Sequence, residues 1–128
     1  MAEGKTPPTI TLEPYGKSVR VEFGGETVAE SGNALVLREG RLPPVLYIPK
    51  ADVNWSITTA TDRSTHCPYK GDASYWSVSA NGQTAENAIW GYPQAIEAVS
   101  AISDCVAFYW DKMDGWYLDG AKAAAPDF

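Results

Sequence analysis

The sequence predicts an all-β, mainly antiparallel fold of two packed sheets, arranged as a sandwich or an open barrel, with at most one short helix. Apolar and polar residues alternate in several short segments, most clearly from Ser18 to Phe23, and such alternation is typical of half-buried strands. Turn signals such as Gly24-Gly25 and Asn81-Gly82 recur about every eight to twelve residues, as they do in all-β domains. The helical crossovers that a parallel sheet requires are missing.

Eight segments have the composition and the turn-bounded length of strands. They are residues 18–23, 26–30, 34–37, 45–48, 55–59, 73–80, 84–90 and 105–110. Pro93 precedes a segment with loosely helical spacing of apolar residues, which predicts the short helix over residues 94–102. Pro7, Pro8 and Pro14 predict an irregular N-terminal arm over residues 1–16, with a brief addition of residues 9–12 to a sheet edge as the alternative. One β domain then spans residues 17–120, and residues 121–128 form a tail.

The charge and hydropathy of the chain limit its partners. The net charge is −6 and the lysines and arginines are scattered singly, so we expect no nucleic-acid partner. No apolar run is long enough to cross a membrane, and the N-terminal residues lack the apolar segment of a signal peptide. We therefore expect no membrane partner and a cytoplasmic location, where the two cysteines stay thiols.

The segment from Ser64 to Trp76 concentrates the chemically capable side chains, including the single histidine of the chain. Lys70 stands between Tyr69 and Gly71, and a glycine allows backbone to approach a ligand closely. Its ammonium is a natural partner for a carboxylate or a phosphate group. The alternative is a surface lysine that lies along an aromatic ring, where a cation–π contact contributes about 0.5–1 kcal/mol.

Cys67 is a candidate nucleophile, because a thiol near Lys70 and His66 can become reactive. The alternative is a small buried hydrophobe, as we expect for Cys105 in its apolar strand. His66 and Cys67 are adjacent, so in a strand they point to opposite faces and do not share one ion. The sequence also lacks a C-x-x-C pair, and we expect no metal ion and no cofactor.

Further candidate ligand contacts come from outside this segment. Arg20 lies in the middle of a predicted strand and is expected to assist Lys70, or else to be an exposed strand residue. Four aromatic residues are expected to wall a cleft, with plain core packing as the alternative. They are Tyr47, Tyr75, Trp76 and Trp90.

The motif Cys67-Pro68-Tyr69-Lys70-Gly71, followed by Tyr75-Trp76, closely resembles the signature of the bacterial family filed as domain of unknown function 427. Weaker flanking matches, such as residues 19–21 and 88–93, extend the resemblance over residues 17 to 117. The resemblance implies a tent-like fold of two antiparallel sheets, similar to Mss4-type proteins. Those relatives carry zinc on C-x-x-C knuckles, which this chain lacks. The family also carries a nucleotidyltransferase label, but the chain has no D-x-D pair of the kind that holds metal ions in such enzymes.

Three functional hypotheses follow from these features. In the first, the domain binds a small anionic molecule beside Lys70, with Arg20 assisting and the aromatic residues walling the cleft. In the second, it is a Cys67-dependent group-transfer enzyme. In the third, it is an interaction module whose exposed aromatic residues form a homodimer face.

Overall fold

The described residues, 9–126 and 128 of a computed structural model, form two antiparallel sheets that are not closed into a barrel. The seven-stranded sheet has the order β1-β4-β5-β9-β8-β7-β6, and the four-stranded sheet has the order β11-β10-β2-β3. The strands are β1 (Ile10–Pro14), β2 (Val19–Phe23), β3 (Glu26–Ser31), β4 (Leu35–Glu39), β5 (Val45–Pro49), β6 (Thr58–Cys67), β7 (Gly71–Ala80), β8 (Gln83–Gly91), β9 (Cys105–Phe108), β10 (Gly115–Leu118) and β11 (Ala121–Ala123). The predicted all-β fold of two sheets is confirmed.

Across residues 9–126 and 128, helical structure is limited to short 3-10 segments at Lys50–Asp52, Trp55–Ile57, Glu97–Asp104 and Trp110–Lys112. Glu97–Asp104 replaces the helix predicted over residues 94–102, and non-helical angles at Val99 interrupt it. Among the described residues it is the one helical segment longer than a single turn. The expectation of at most one short helix is therefore met, although the segment begins and ends a few residues after the predicted helix.

Strand pairing extends beyond the predicted domain limits at both ends. Residues 10–14, inside the arm predicted to be irregular, form β1 and pair with β4 at the edge of the large sheet. An edge strand tolerates a proline such as Pro14, because one side of the strand makes no ladder hydrogen bonds. Residues 121–123, inside the predicted tail, pair with β10. Residues 1–8 of the predicted arm lie outside the described residues.

Alternation along the strands divides the large sheet into two faces. Leu46 and Ile48 of β5 point into the main core against the small sheet, where they meet residues such as Val19 and Val21 of β2. Tyr47, between them, points to the opposite face. Since successive strand side chains point to opposite faces, one face of the large sheet packs against the small sheet. The other face points away from the small sheet.

The second face carries its own apolar cluster. It includes Leu37, Tyr47, Tyr75, Cys105 and Ala107 from the strands, and Val99 and Ile102 from the 3-10 segment at Glu97–Asp104. The 3-10 segment therefore covers part of this face. The part of the face toward β4 and the loop after it stays open and holds the cavity described below.

Candidate functional site

Two backbone hydrogen bonds hold Lys70 in the turn between β6 and β7, residues 67–71. The Lys70 N–H donates to the Cys67 carbonyl at 3.2 Å, and the Lys70 carbonyl accepts from the Ile96 N–H at 2.9 Å. Gly71 follows with φ +119°, and a Cβ there would stand 3.2 Å from the Gln94 carbonyl oxygen. Only glycine suits this combination of left-handed backbone and close approach. The glycine of the motif thus allows the turn to pack closely against residues 94–96.

Lys70 forms an ion pair with Glu39, the last residue of β4. Lys70 Nζ lies 2.5 Å from Glu39 Oε1, and each side chain is only 12% exposed. A largely buried charge needs such a partner, because desolvation costs several kcal/mol per ion. The pair therefore links the 67–71 turn to β4, which lies near the other edge of the large sheet.

A cavity of about 420 Å³ opens beside this ion pair. We call it the aromatic cavity. Its walls are the strands and loops on the second face of the large sheet, and five of its lining residues carry aromatic rings. It is lined by Leu37, Glu39, Leu42, Pro43, Val45, Tyr47, Lys70, Tyr75, Trp90, Tyr92 and Tyr109.

Strand order explains why these residues meet. β9 lies between β5 and β8, and Trp90 is directly opposite Ala107 of β9. The small side chain of Ala107 lets the rings of Tyr47 and Trp90 approach across it, with their centroids 6.5 Å apart. Trp90 Nε1 donates a hydrogen bond to the Tyr47 hydroxyl at 3.3 Å. Trp90 also contacts Tyr109, with 4.5 Å between ring centroids.

The phenols of the aromatic cavity differ in their acidity. Burial raises the pKa of Tyr47 and of Tyr92 above the ordinary value, so both hydroxyls stay protonated at neutral pH. Burial also acts on Tyr75, but hydrogen bonds with Thr65, Arg63 and Tyr109 outweigh it and lower the pKa of Tyr75. The Thr65 and Tyr75 hydroxyls lie 2.8 Å apart.

Four of the six predicted ligand contacts line the aromatic cavity: Lys70, Tyr47, Tyr75 and Trp90. Arg20 does not, because β2 belongs to the small sheet, where Arg20 pairs with Glu22 and lies 4.1 Å from the ring centroid of Tyr117. Trp76 does not line it either. It follows Tyr75 in β7, so its side chain points to the main core and packs against Trp55 at 5.3 Å.

Because successive side chains of β6 point to opposite faces, Cys67 and His66 lie on different faces of the strand. Cys67 is partly buried and packs against the apolar cluster of the second face, but it is not among the residues that line the aromatic cavity. His66 is exposed, and its Nδ1 lies 2.8 Å from Asp72 Oδ1. Cys105 is buried, as predicted. The two adjacent residues therefore do not form a thiol–imidazole pair.

Glu39, Tyr92 and Tyr109 also line the aromatic cavity. The sequence marks Tyr92 as a further aromatic wall and Glu39 as an ionisable candidate, whereas Tyr109 is not among the predicted residues. Glu39 falls on the face of Leu37, two positions earlier in β4, and this alternation was visible in the sequence. Tyr92 follows Trp90 at the same spacing. Tyr109 comes from beyond the end of β9, and nothing in the local sequence pattern singled it out.

The described residues lack two features, a cluster of metal-binding side chains and a membrane-spanning helix. No group of three or more His, Cys, Asp or Glu residues within this part of the chain is placed to hold a metal ion. Within the same residues, no helix has the length and apolar character needed to cross a membrane.

Most of the chain is similar to a known protein family. The family model described as domain of unknown function (DUF427) matches residues 11–119, which cover all of the aromatic cavity. The chain belongs to the DUF427 family. The match contains the whole 67–71 turn of this DUF427 domain, and its model also carries a nucleotidyltransferase label, NTP_transf_9. No curated protein matches the chain.

Proposed function

We propose that this DUF427 domain binds a small molecule in the aromatic cavity and that Lys70 contacts an anionic group of the ligand. The observation that carries the proposal is the Lys70–Glu39 pair at the wall of a ring-lined hollow. Binding sites for small molecules typically combine apolar and aromatic walls with a few polar groups that orient the ligand. A cavity of about 420 Å³ lies within the usual range for such sites.

Lys70 keeps binding capacity although it is paired. An ammonium has three hydrogen-bond donors, and the described part of the chain supplies Glu39 as its one side-chain partner. The remaining donors are free to bind a carboxylate or a phosphate. A purely structural role explains the pair less well, because apolar residues of similar volume often stabilise a fold as much as a buried ion pair does.

A thermal-shift screen of small carboxylates and phosphates tests the proposal. Wild-type protein is compared with Lys70→Met, which keeps the apolar stem and removes the ammonium. Lys122→Met, on the exposed strand β11, changes the net charge equally and serves as control. We expect at least one compound to raise the Tm of the wild type and of Lys122→Met but not of Lys70→Met. If no compound does so, the proposal is wrong.

The Cys67-dependent group-transfer enzyme stays an alternative hypothesis. What supports it is the partly buried Cys67 thiol, three residues before Lys70 in the same turn. The homodimeric interaction module also stays a hypothesis, and light scattering over a dilution series tests it.

A further inference from the structure

The rings of the aromatic cavity are turned toward one another rather than stacked. The planes of Tyr47 and Trp90 make an angle of 82°, and those of Trp90 and Tyr109 make an angle of 44°. A flat ring can stack on one aromatic wall or meet it edge-on, but it cannot stack on two walls that are not parallel. Walls at steep angles instead surround a compact, rounded group.

A carboxylate accompanies these rings. Glu39 Oε1 accepts from Lys70, whereas Oε2 has no hydrogen-bond partner among the residues that the structure describes. The faces of tyrosine and tryptophan rings carry negative electrostatic potential and attract cations. The aromatic rings and the unbonded oxygen of Glu39 line the same cavity. Together they therefore favour the binding of a positively charged group.

The remaining walls decide which kind of cation fits. They are apolar, being formed by Leu37, Leu42, Pro43 and Val45. A primary ammonium needs several acceptors to replace its water, but a methylated ammonium presents methyl groups that pack on apolar and aromatic surfaces. Burial keeps the Tyr47 and Tyr92 hydroxyls protonated at neutral pH, so their rings act as neutral cation–π partners.

The ion pair on the cavity wall indicates which charges the ligand carries. Glu39 and Lys70 place one charge of each sign on the wall, so a ligand that contacts both charges is a zwitterion. Their charged atoms lie 2.5 Å apart, so a ligand whose own two charges are close together can reach both. Resting on the proposed function, we infer that the aromatic cavity binds a compact zwitterion whose methylated ammonium lies among the rings beside Glu39 and whose anionic group contacts Lys70.

Calorimetric titration with two matched probes tests this inference. Glycine betaine carries a trimethylammonium next to a carboxylate, and 3,3-dimethylbutanoate has the same shape and carboxylate but a neutral carbon in place of the nitrogen. We expect glycine betaine to bind wild-type protein at least about tenfold more tightly than the neutral isostere, because the cation–π and carboxylate contacts depend on the charge. Phosphocholine, with its charges further apart, is expected to bind more weakly than glycine betaine.

Variants locate the effect within the cavity. Glu39→Gln keeps the shape and a hydrogen-bond acceptor for Lys70, and we expect it to remove most of the preference for glycine betaine over the isostere. Glu13→Gln breaks the exposed pair with Arg38 at the surface and is expected to leave the preference unchanged.

Two results overturn the inference. One is equal or tighter binding of 3,3-dimethylbutanoate, and the other is no measurable binding of glycine betaine. If the isostere binds in a way that Lys70→Met abolishes, the proposed anion site stands while the cation site fails. Tighter binding of phosphocholine than of glycine betaine also contradicts the inference, because the preferred ligand would then not be compact.

Discussion

Lys70 and Glu39 are 31 residues apart in the sequence, and their side chains meet at 2.5 Å on the wall of the aromatic cavity. The contact joins the turn after β6 to the end of β4, which are at distant positions in the order of the large sheet. It combines a structural role, since each charge neutralises the other, with the proposed role in binding. Variants of the pair separate the two roles.

Breaking the Lys70–Glu39 pair on one side is expected to destabilise the fold. Glu39→Leu leaves the Lys70 ammonium largely buried without its partner, and we expect a loss of about 2–4 kcal/mol in the free energy of unfolding. The double variant Glu39→Leu/Lys70→Met is expected to recover most of this loss. Urea unfolding measures both.

The exposed pair between Glu13 and Arg38 is the matched control. Glu13→Leu is expected to cost less than about 1 kcal/mol, as exposed pairs usually do. A Glu39→Leu loss no larger than the Glu13→Leu loss would show that the Lys70–Glu39 pair is solvated.

Gly71→Ala is expected to destabilise the fold more than Gly120→Ala does. Both glycines have positive φ, +119° and +83°, so both substitutions strain the backbone. At Gly71 the new Cβ also stands 3.2 Å from the Gln94 carbonyl, whereas nothing lies within 4 Å at Gly120. We expect a cost of about 1 kcal/mol at Gly120 and roughly 2–3 kcal/mol at Gly71.

Thermal and urea unfolding of the two glycine variants measure this difference. Equal losses of unfolding free energy would mean that residues 94–96 move away from the new Cβ at Gly71 without cost. Close packing against the 67–71 turn would then not explain why a glycine is needed there.

The alkaline limit of stability is expected to depend on Tyr47. Burial raises the pKa of Tyr47 in the folded state, so the unfolded state releases the phenolic proton first, near its ordinary pKa of about 10. The stabilising contribution is fully present below about pH 10 and is lost as the pH rises above it. Tyr47→Phe is expected to flatten the fall of the unfolding free energy between about pH 9 and pH 11. An unchanged slope in Tyr47→Phe would contradict this assignment.

The two thiols are expected to differ in reactivity. Cys105 is 5% exposed and burial raises its pKa, so it should react with iodoacetamide only after unfolding. Cys67 is partly buried and should react first in the native protein. Peptide mapping after timed labelling distinguishes the two sites, and equal rates would contradict the structure of β9. Labelling of Cys67 at pH 7 more than about tenfold faster than glutathione would favour the group-transfer alternative.

Local patterns in the sequence were sufficient to predict the hairpins whose turns are unambiguous. Asn81 and Gly82 have φ of 51° and 81°, as a tight hairpin turn requires, and they join β7 to β8. Asp119 and Gly120 have nearly the same angles, 54° and 83°. Asp119-Gly120 is therefore a hairpin signal of the same kind, but the predicted strands do not include β10 and β11.

The assembly of the site depends on strand order, which local patterns do not contain. β9 inserts between β5 and β8 although it follows β8 in the chain, and this insertion brings Tyr47 to Trp90. The same limitation explains Arg20, because nothing near it in sequence indicates that β2 belongs to the other sheet. Trp76 is a different case, since alternation within β7 already excluded a common face for Tyr75 and Trp76.

The most direct test of the central claim follows the indole N–H signals of the tryptophans by NMR. Trp90 Nε1 donates to Tyr47 inside the aromatic cavity, whereas Trp55 and Trp116 donate to backbone carbonyls elsewhere. ¹⁵N-labelled protein is titrated with the carboxylate or phosphate that raises the Tm most. We predict a saturable shift of the Trp90 signal alone, lost in Lys70→Met. Shifts of the Trp55 and Trp116 signals as large as that of Trp90, or a Trp90 shift unchanged in Lys70→Met, would contradict the account.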